Sequence, residues 1–212
     1  IHASLLPKYR GAAPIHWAII NGETETGLSS FVLNDTVDTG DVLLQEREPI
    51  AEDDTFDSLY ARLAQKSGPF ALRSLERLAD PSVRPIPQPN AGASPAPKVG
   101  PEDATIDWGF PARNVHNFIR GLSTVPGACT TFRGRKVKIF GSRLGDLPPA
   151  PPGIRPGTIL PDKRRLLVAC AISVVELTRV GPEARKPEDG ASFLSGMQPR
   201  AGERFGDPPP QH

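Results

Sequence analysis

DPSVRPIPQPNAGASPAPKVGP, residues 80–101, carries seven prolines and no apolar periodicity. Each proline fixes φ and removes a backbone donor, so neither a helix nor a central strand can run through this stretch. It reads as a semi-rigid linker. On that reading the chain divides into a first piece at residues 1–82, the linker at 83–103, a second piece at 104–206 and a disordered tail at 207–212, with disorder setting in after about Arg200.

On the N-terminal side of the linker, Leu28 to Leu33 (LSSFVL) and Val42 to Pro49 (VLLQEREP) read as strands, bracketed by the turn formers Asn34-Asp35 and Thr39-Gly40-Asp41. Phe56, Leu59, Leu63, Leu72, Leu75 and Leu78 follow at helical spacing, with Asp54 or Thr55 placed to cap the start and Gly68-Pro69 expected to kink or divide the helix. A short helix is expected from Pro14 to Asn21, packing Ile15, Trp17, Ala18 and Ile19; this explains Tyr9, His16 and Trp17 better than base stacking does. Strand, loop, strand and long helix suit the closing part of an α/β domain, with a sheet too small to bury its own faces.

On the C-terminal side, Ala112 to Leu122 predicts a helix with the stripe Val115, Phe118, Ile119 and Leu122, and His116 on it reads as structural. Short strands follow at Ala128 to Arg133, Lys136 to Ser142, Thr158 to Leu160, Leu166 to Cys170 and Val174 to Val180, which predicts a small β-barrel. The prolines from Pro148 to Pro156 mark a surface loop within it.

No apolar run approaches the roughly 20 residues that cross a bilayer, and the opening residues lack the apolar core of a signal peptide, so a soluble cytoplasmic protein is expected. Cys129 and Cys170 lack metal or disulfide spacing and read as small buried hydrophobes; no metal is expected. Charge is divided unevenly. Residues 1–104 hold 9 Lys+Arg against 15 Asp+Glu, a net of −6, whereas residues 105–212 hold 16 against 9, a net of +7.

The densest chemical signal is the opening HASLLPKYRGAAPI, residues 2–15, followed by Glu25-Thr26-Gly27 and Asp38-Thr39-Gly40-Asp41. This wording resembles the formyltransferases that use 10-formyltetrahydrofolate. Further likeness at Ile106-Asp107-Trp108, Pro126-Gly127-Ala128, Pro156-Gly157-Thr158-Ile159, Lys186-Pro187 and Phe193-Leu194 spans both pieces and resembles the methionyl-tRNA branch of that family. The resemblance implies an α/β fold, the C-terminal half of a Rossmann-like formyltransferase domain, followed by a small OB-like β-barrel domain with flanking helices. One departure is Cys170-Ala171-Ile172-Ser173-Val174, where the family carries a Gly-Asp-Gly-like turn; pairing there is in doubt.

Formyl transfer passes a one-carbon acyl group from a folate nitrogen to an amine through a tetrahedral oxyanion, which calls for a donor or positive charge at that oxygen and a route for the amine proton. The resemblance assigns the catalytic pair to His2 and Asp38, with Asp38 holding His2 or an ordered water. It places an asparagine before Ile1, so the chain is read as lacking an N-terminal segment and as inactive and poorly stable by itself. Folate contacts fall on Ser4, Leu5, Leu6 and Pro7 and on the loop Asn34, Asp35, Thr36 and Val37. Leu5 and Leu6 suit a core equally well.

RNA contact rests first on phosphate neutralisation. The candidates are Arg10, then Arg133, Arg135, Lys136 and Lys138, then Lys163, Arg164 and Arg165, and finally Lys186; Lys8 is a weaker candidate. Lys136-Val137-Lys138 alternates so that both lysines share one strand face. The expected activity is formylation of initiator methionyl-tRNA in translation initiation, by a monomer with 10-formyltetrahydrofolate as cosubstrate. The alternatives are a formyltransferase or hydrolase acting on a nucleotide sugar or purine precursor or, for the isolated chain, a non-catalytic RNA-binding module.

Overall fold

The structure, a computed structural model, describes residues 1–207, which fold into two compact units, the first Ile1–Val99 and the second beginning at Gly100. The last five residues of the expected tail lie outside the described residues.

In the first unit, proline at the first turn opens α1 (Pro14–Ile20). Strands β1 (Glu25–Phe31) and β2 (Val42–Pro49) pair antiparallel from Glu25↔Pro49 to Ser30↔Leu44, with an irregularity at Ser30/Phe31. Their connection is too short for the crossover that parallel strands need, which is why the parallel pairing of a Rossmann-like sheet is not seen between them. On its other edge β1 is bonded to the chain's opening: His2 and Ser29 exchange both backbone hydrogen bonds, at 2.8 and 2.9 Å.

Helix α2 (Phe56–Ala79) is capped by a reciprocal pair, the Thr55 side chain accepting from the Ser58 amide and the Ser58 side chain from the Thr55 amide. It runs unbroken through Pro69, against expectation. Gln65 and Pro69 are both exposed, so the carbonyl that loses its donor can be hydrated. The buried stripe is Leu59, Leu63, Phe70 and Ser74, packed on a core that includes Ile15, Ile19 and Leu28. Leu72, Leu75 and Leu78, read from sequence as part of that stripe, lie on the exposed face at 61–64% accessibility.

The proline-rich stretch is stitched to this unit. Ile86 and Val42 exchange two backbone bonds of 2.8 Å, the Arg10 amide donates to Ser94 O at 2.8 Å, and Ala96 is fully buried in the core. Gly11 permits this approach: at φ +127° it has room for no Cβ, which would lie 2.5 Å from Ala96 O.

In the second unit a 3₁₀ turn (Pro101–Asp103) leads to α3 (Ala112–Gly121), which buries Val115 and Ile119. Strands β3 (Ala128–Phe132), β4 (Arg135–Arg143), β5 (Ile159–Leu160), β6 (Leu166–Ala169), β7 (Val174–Pro182) and the short β8 (Glu188–Asp189) form one antiparallel sheet, ordered β3-β4-β7-β6-β5 with β8 on β7. The β6–β7 turn closes without glycine. Cys170 donates to Ser173 O at 2.7 Å and Ala169 pairs with Val174, so the doubt over that hairpin is removed.

Asp189 caps α4 (Gly190–Met197) through the Ser192 amide at 2.7 Å. The sheet curls: residues 203–206 bond to both of its ends, Ile159 donating to Glu203 O, Phe205 to Gly157 O and Gly206 to Thr131 O. Residues 201–207, expected to be disordered, are therefore part of the fold. Phe205 is buried among Trp108, Phe132 and Phe193 with ring centroids 5.5–5.8 Å apart, and this aromatic burial outweighs the polar, glycine-bearing character of the segment. Cys129 and Cys170 are buried free thiols, and burial pushes the Cys170 thiol up to about 12. Among the described residues no helix is long and apolar enough to cross a membrane.

Candidate active site

The backbone of His2 is set by its bridge to Ser29, and its imidazole is buried. Nε2 meets the Tyr9 carbonyl at 2.7 Å. That oxygen accepts only, so Nε2 carries its proton and Nδ1 is the nitrogen left for chemistry. Nδ1 faces Asp38 Oδ2 at 3.6 Å, longer than a direct hydrogen bond. The same Oδ2 accepts the Gly11 amide at 2.8 Å. Asp38 sits in the left-handed region at φ +55°, a conformation that Asp tolerates better than most residues.

One side chain that the sequence reading passed over holds this loop. Gln88 Nε2 donates to Asp38 O at 3.0 Å and to Gly40 O at 2.7 Å, while its Oε1 accepts from Arg10 Nε at 3.1 Å and Nη2 at 2.8 Å. The only signal in the sequence was a polar amide set between Pro87 and Pro89.

Ser4 to Pro7 forms a turn whose carbonyls and amides are taken up by side chains. Ser4 Oγ donates to Lys8 O at 2.6 Å, Ser29 Oγ donates to Ser4 O at 2.6 Å and accepts the Leu6 amide at 3.1 Å, and Gln45 Nε2 donates to Leu6 O at 2.9 Å. Ser29 and Gln45 carry no motif that sequence reasoning could have found. Leu5, Leu6 and Pro7 line a cavity of about 310 Å³ with Lys8, Gln45 and Arg47, and neither His2 nor Asp38 lines it. Tyr9, which also lines it, is held by Glu23 and Asn21, and burial with the Glu23 bond pushes its phenol up to about 12. Residues Asn34 to Val37 form an exposed turn in which Asn34 Oδ1 accepts the Thr36 amide at 3.1 Å and the Thr39 hydroxyl at 3.0 Å.

The basic candidates divide by partner. In the first unit Lys8 pairs with Glu23 at 3.0 Å, and Arg10 is given to Gln88. In the second, Arg133 pairs with Glu203 at 2.7 Å and lies over the Phe132 ring, Lys138 donates to Pro126 O at 3.0 Å, and Arg165 pairs with Asp162 at 3.2 Å. Among the described residues, the side chains of Arg135, Lys136, Lys163, Arg164 and Lys186 have no such partner and are open to a ligand. Lys136 and Lys138 do share the outer face of β4, with buried Val137 between them on the other.

Residues 1–74 match the family model described as formyl transferase, and residues 98–198 match the model of the formyl transferase C-terminal domain. A methionyl-tRNA formyltransferase of Chlorobium chlorochromatii is 39% identical over 197 residues, 93% of this chain and 63% of the relative. That of Solibacter usitatus is 40% identical over 207 residues, 98% of this chain and 65% of its own length. The chain thus spans less than two thirds of the curated relatives it matches. A crystal structure of HypX from Aquifex aeolicus in complex with tetrahydrofolic acid has a similar fold, with a TM-score of 0.64 at 21% identity over 98% of this chain and 36% of that one.

Proposed function

This chain belongs to the formyl transferase family, and from that premise we propose that it supplies part of the active site of a methionyl-tRNA formyltransferase, moving a formyl group from 10-formyltetrahydrofolate to the amino group of initiator methionyl-tRNA in translation initiation. The observation that carries this reading is the convergence of His2 Nδ1 and Asp38 Oδ2 from separate loops to 3.6 Å. The names of the relatives support the tRNA substrate, and the folate-bound HypX, similar in fold, supports the cosubstrate.

In the proposed reaction the methionyl amine attacks the formyl carbon, the new C–N bond forms, and the bond from the formyl carbon to the folate nitrogen breaks. In its imidazolium form, with a second proton on Nδ1, His2 would polarise the formyl oxygen by donating from that nitrogen, and the proton released by the attacking amine passes to the departing folate nitrogen. Asp38 holds the imidazole, or an ordered water beside it, against the charge that develops. The turn Ser4, Leu5, Leu6 and Pro7 would contact the folate, and the loop Asn34, Asp35, Thr36 and Val37 would receive the pterin edge through backbone groups; the side-chain bonds that pin the first turn support a preformed shape for it. No step in this scheme calls on a metal.

We read the first unit as the closing half of a Rossmann-like domain, with residues 83–103 leading into the second, and the second unit as an OB-like barrel. Bonds from residues 203–206 to both ends of its sheet support that closure. Its unpartnered cations Arg135, Lys136, Lys163, Arg164 and Lys186 would neutralise tRNA phosphates, with Lys138, Arg133 and Arg165 on the margins of the same charge. A monomer working in the cytoplasm, where a tRNA substrate is used, completes the proposal.

The test is formylation by the full-length gene product, with labelled 10-formyltetrahydrofolate and initiator methionyl-tRNA. Label on the methionyl amine is expected. Label on a nucleotide sugar, release as free formate, or tRNA retention without turnover would overturn the reading.

A further inference from the structure

We propose that Gln88 is a positioning residue for formyl transfer, acting with Arg10 to hold the Asp38 turn over His2; this rests on the reading of His2 and Asp38 as the catalytic pair.

The Gln88 amide is fully used. Both N–H groups go to carbonyls of the Asp38 turn, at 3.0 and 2.7 Å, and both oxygen lone pairs go to Arg10, at 3.1 and 2.8 Å. Carbonyls only accept and guanidinium only donates, so the amide has a single orientation that satisfies all four bonds. Its base is equally fixed. Prolines flank it on both sides, and the chain is tied down at Ile86 by two backbone bonds to Val42 and at Pro95 by a bridge to Arg10.

This brace closes a ring. Arg10 is bonded through Gln88 to the carbonyls of the Asp38 turn, and its neighbour Gly11 donates to the Asp38 carboxylate at 2.8 Å. The turn needs such support, because Asp38 occupies the left-handed region at φ +55° and its connecting residues 32–37 are exposed. Misplacing a catalytic group by about 1 Å can cost a factor of about 10² in rate. The proline-rich stretch would then be a built part of the active site, and Arg10 would serve Asp38 and not RNA.

The experiment is steady-state kinetics of the full-length gene product. Gln88→Ala is expected to lower kcat by about 10- to 100-fold while KM for folate and for tRNA stays within about twofold, the pattern of a lost transition-state interaction. Arg10→Ala should do the same, and the double variant should be no slower than either alone, since the two act as a unit. In an Asp38→Asn background the Gln88→Ala change should cost nothing further. Gln88→Glu keeps the acceptor for Arg10 but faces two carbonyls with a carboxylate, and should be as slow as Ala.

Faster exchange of the Gly11 amide in Gln88→Ala, with an unchanged melting temperature, would show that the turn itself is released. Wild-type kcat in Gln88→Ala beside an inactive Asp38→Asn overturns this proposal alone, as do effects of the two changes that multiply. A loss of tRNA affinity in Arg10→Ala with kcat unchanged also overturns it. Near-normal turnover in Asp38→Asn defeats the underlying reading of the site, and the catalytic role of Gln88 with it.

Discussion

His2 Nδ1 lies 3.6 Å from Asp38 Oδ2, yet the carboxylate is anchored by the Gly11 amide and not by the imidazole. The two groups stand just beyond direct hydrogen-bond distance, each held by a separate backbone group, the imidazole by the Tyr9 carbonyl and the carboxylate by the Gly11 amide. His2→Ala and Asp38→Ala should therefore each lower turnover of the full-length gene product by about two to four orders of magnitude without unfolding it. Single-turnover formylation checks this, and rates near wild type for both would end the mechanism.

Arg62 on α2 binds two buried carboxylates, Glu48 at 2.8 Å and Asp54 at 2.6 and 2.7 Å, and ties β2 and the loop after it to the helix. Arg62→Ala leaves Asp54 without its guanidinium and should cost about 3 kcal/mol in urea unfolding. A cost below about 1 kcal/mol would show that water enters and replaces the arginine.

The same network sets an acid limit. Burial alone would raise the Asp54 carboxyl, but bonds from Arg62, Ser58 and the Ala51 amide outweigh it and hold the group at about 2, against an ordinary value of 3.8. A folded-state value below the unfolded one means that stability is fully present above pH 4 or so and drains as pH falls toward about 2. Asp54→Asn should flatten that part of the stability–pH curve; an unchanged slope would count against this assignment.

Gly11→Ala forces a Cβ to within 2.5 Å of Ala96 O at a φ of +127°. The expected loss is about 2 kcal/mol or more, with the proline-rich stretch becoming sensitive to protease before the rest of the first unit. Uniform proteolysis of the unit would contradict the view that this contact fastens the stretch.

Phe205→Ala should cost about 3–5 kcal/mol, since it empties a site shared by Trp108, Phe132 and Phe193. Calorimetry of the second unit's transition reads this directly. A change under 1 kcal/mol would place residues 201–207 outside the fold.

The paired and unpaired cations predict different phenotypes. Lys136→Gln, Lys163→Gln and Arg164→Gln should each weaken tRNA binding across sequences and lower the slope of log affinity against log salt by about 1. Arg133→Ala, which breaks the Glu203 pair and the Phe132 contact, should act more on stability than on RNA. Equal salt slopes for all four variants would remove the distinction.

Most of the secondary structure was legible in the sequence. Strands β2, β3 and β6 begin where the alternation and turn residues put them, and α3 and α1 end within a residue of the expected positions. These features depend on dihedral preferences and periodicity over a few neighbours, which the sequence itself carries. The opening motif was legible for a different reason: its wording fixes residue types at set spacing, and the family assignment followed from it.

Partners distant in sequence were not legible. Which face of α2 is buried, Phe70 and Ser74 or Leu72, Leu75 and Leu78, depends on what packs against the helix, because both sets satisfy helical spacing. Gln88 reads as one more polar residue among prolines until the fold brings it to Asp38 and Arg10. Arg133 and Lys136 are equivalent in a charge count, and only Glu203, 70 residues away from Arg133, separates them. Local sequence determines what a segment can become; hydrogen bonds, ion pairs and apolar burial are made between whatever the folded chain brings within a few ångströms, and only the tertiary structure decides that.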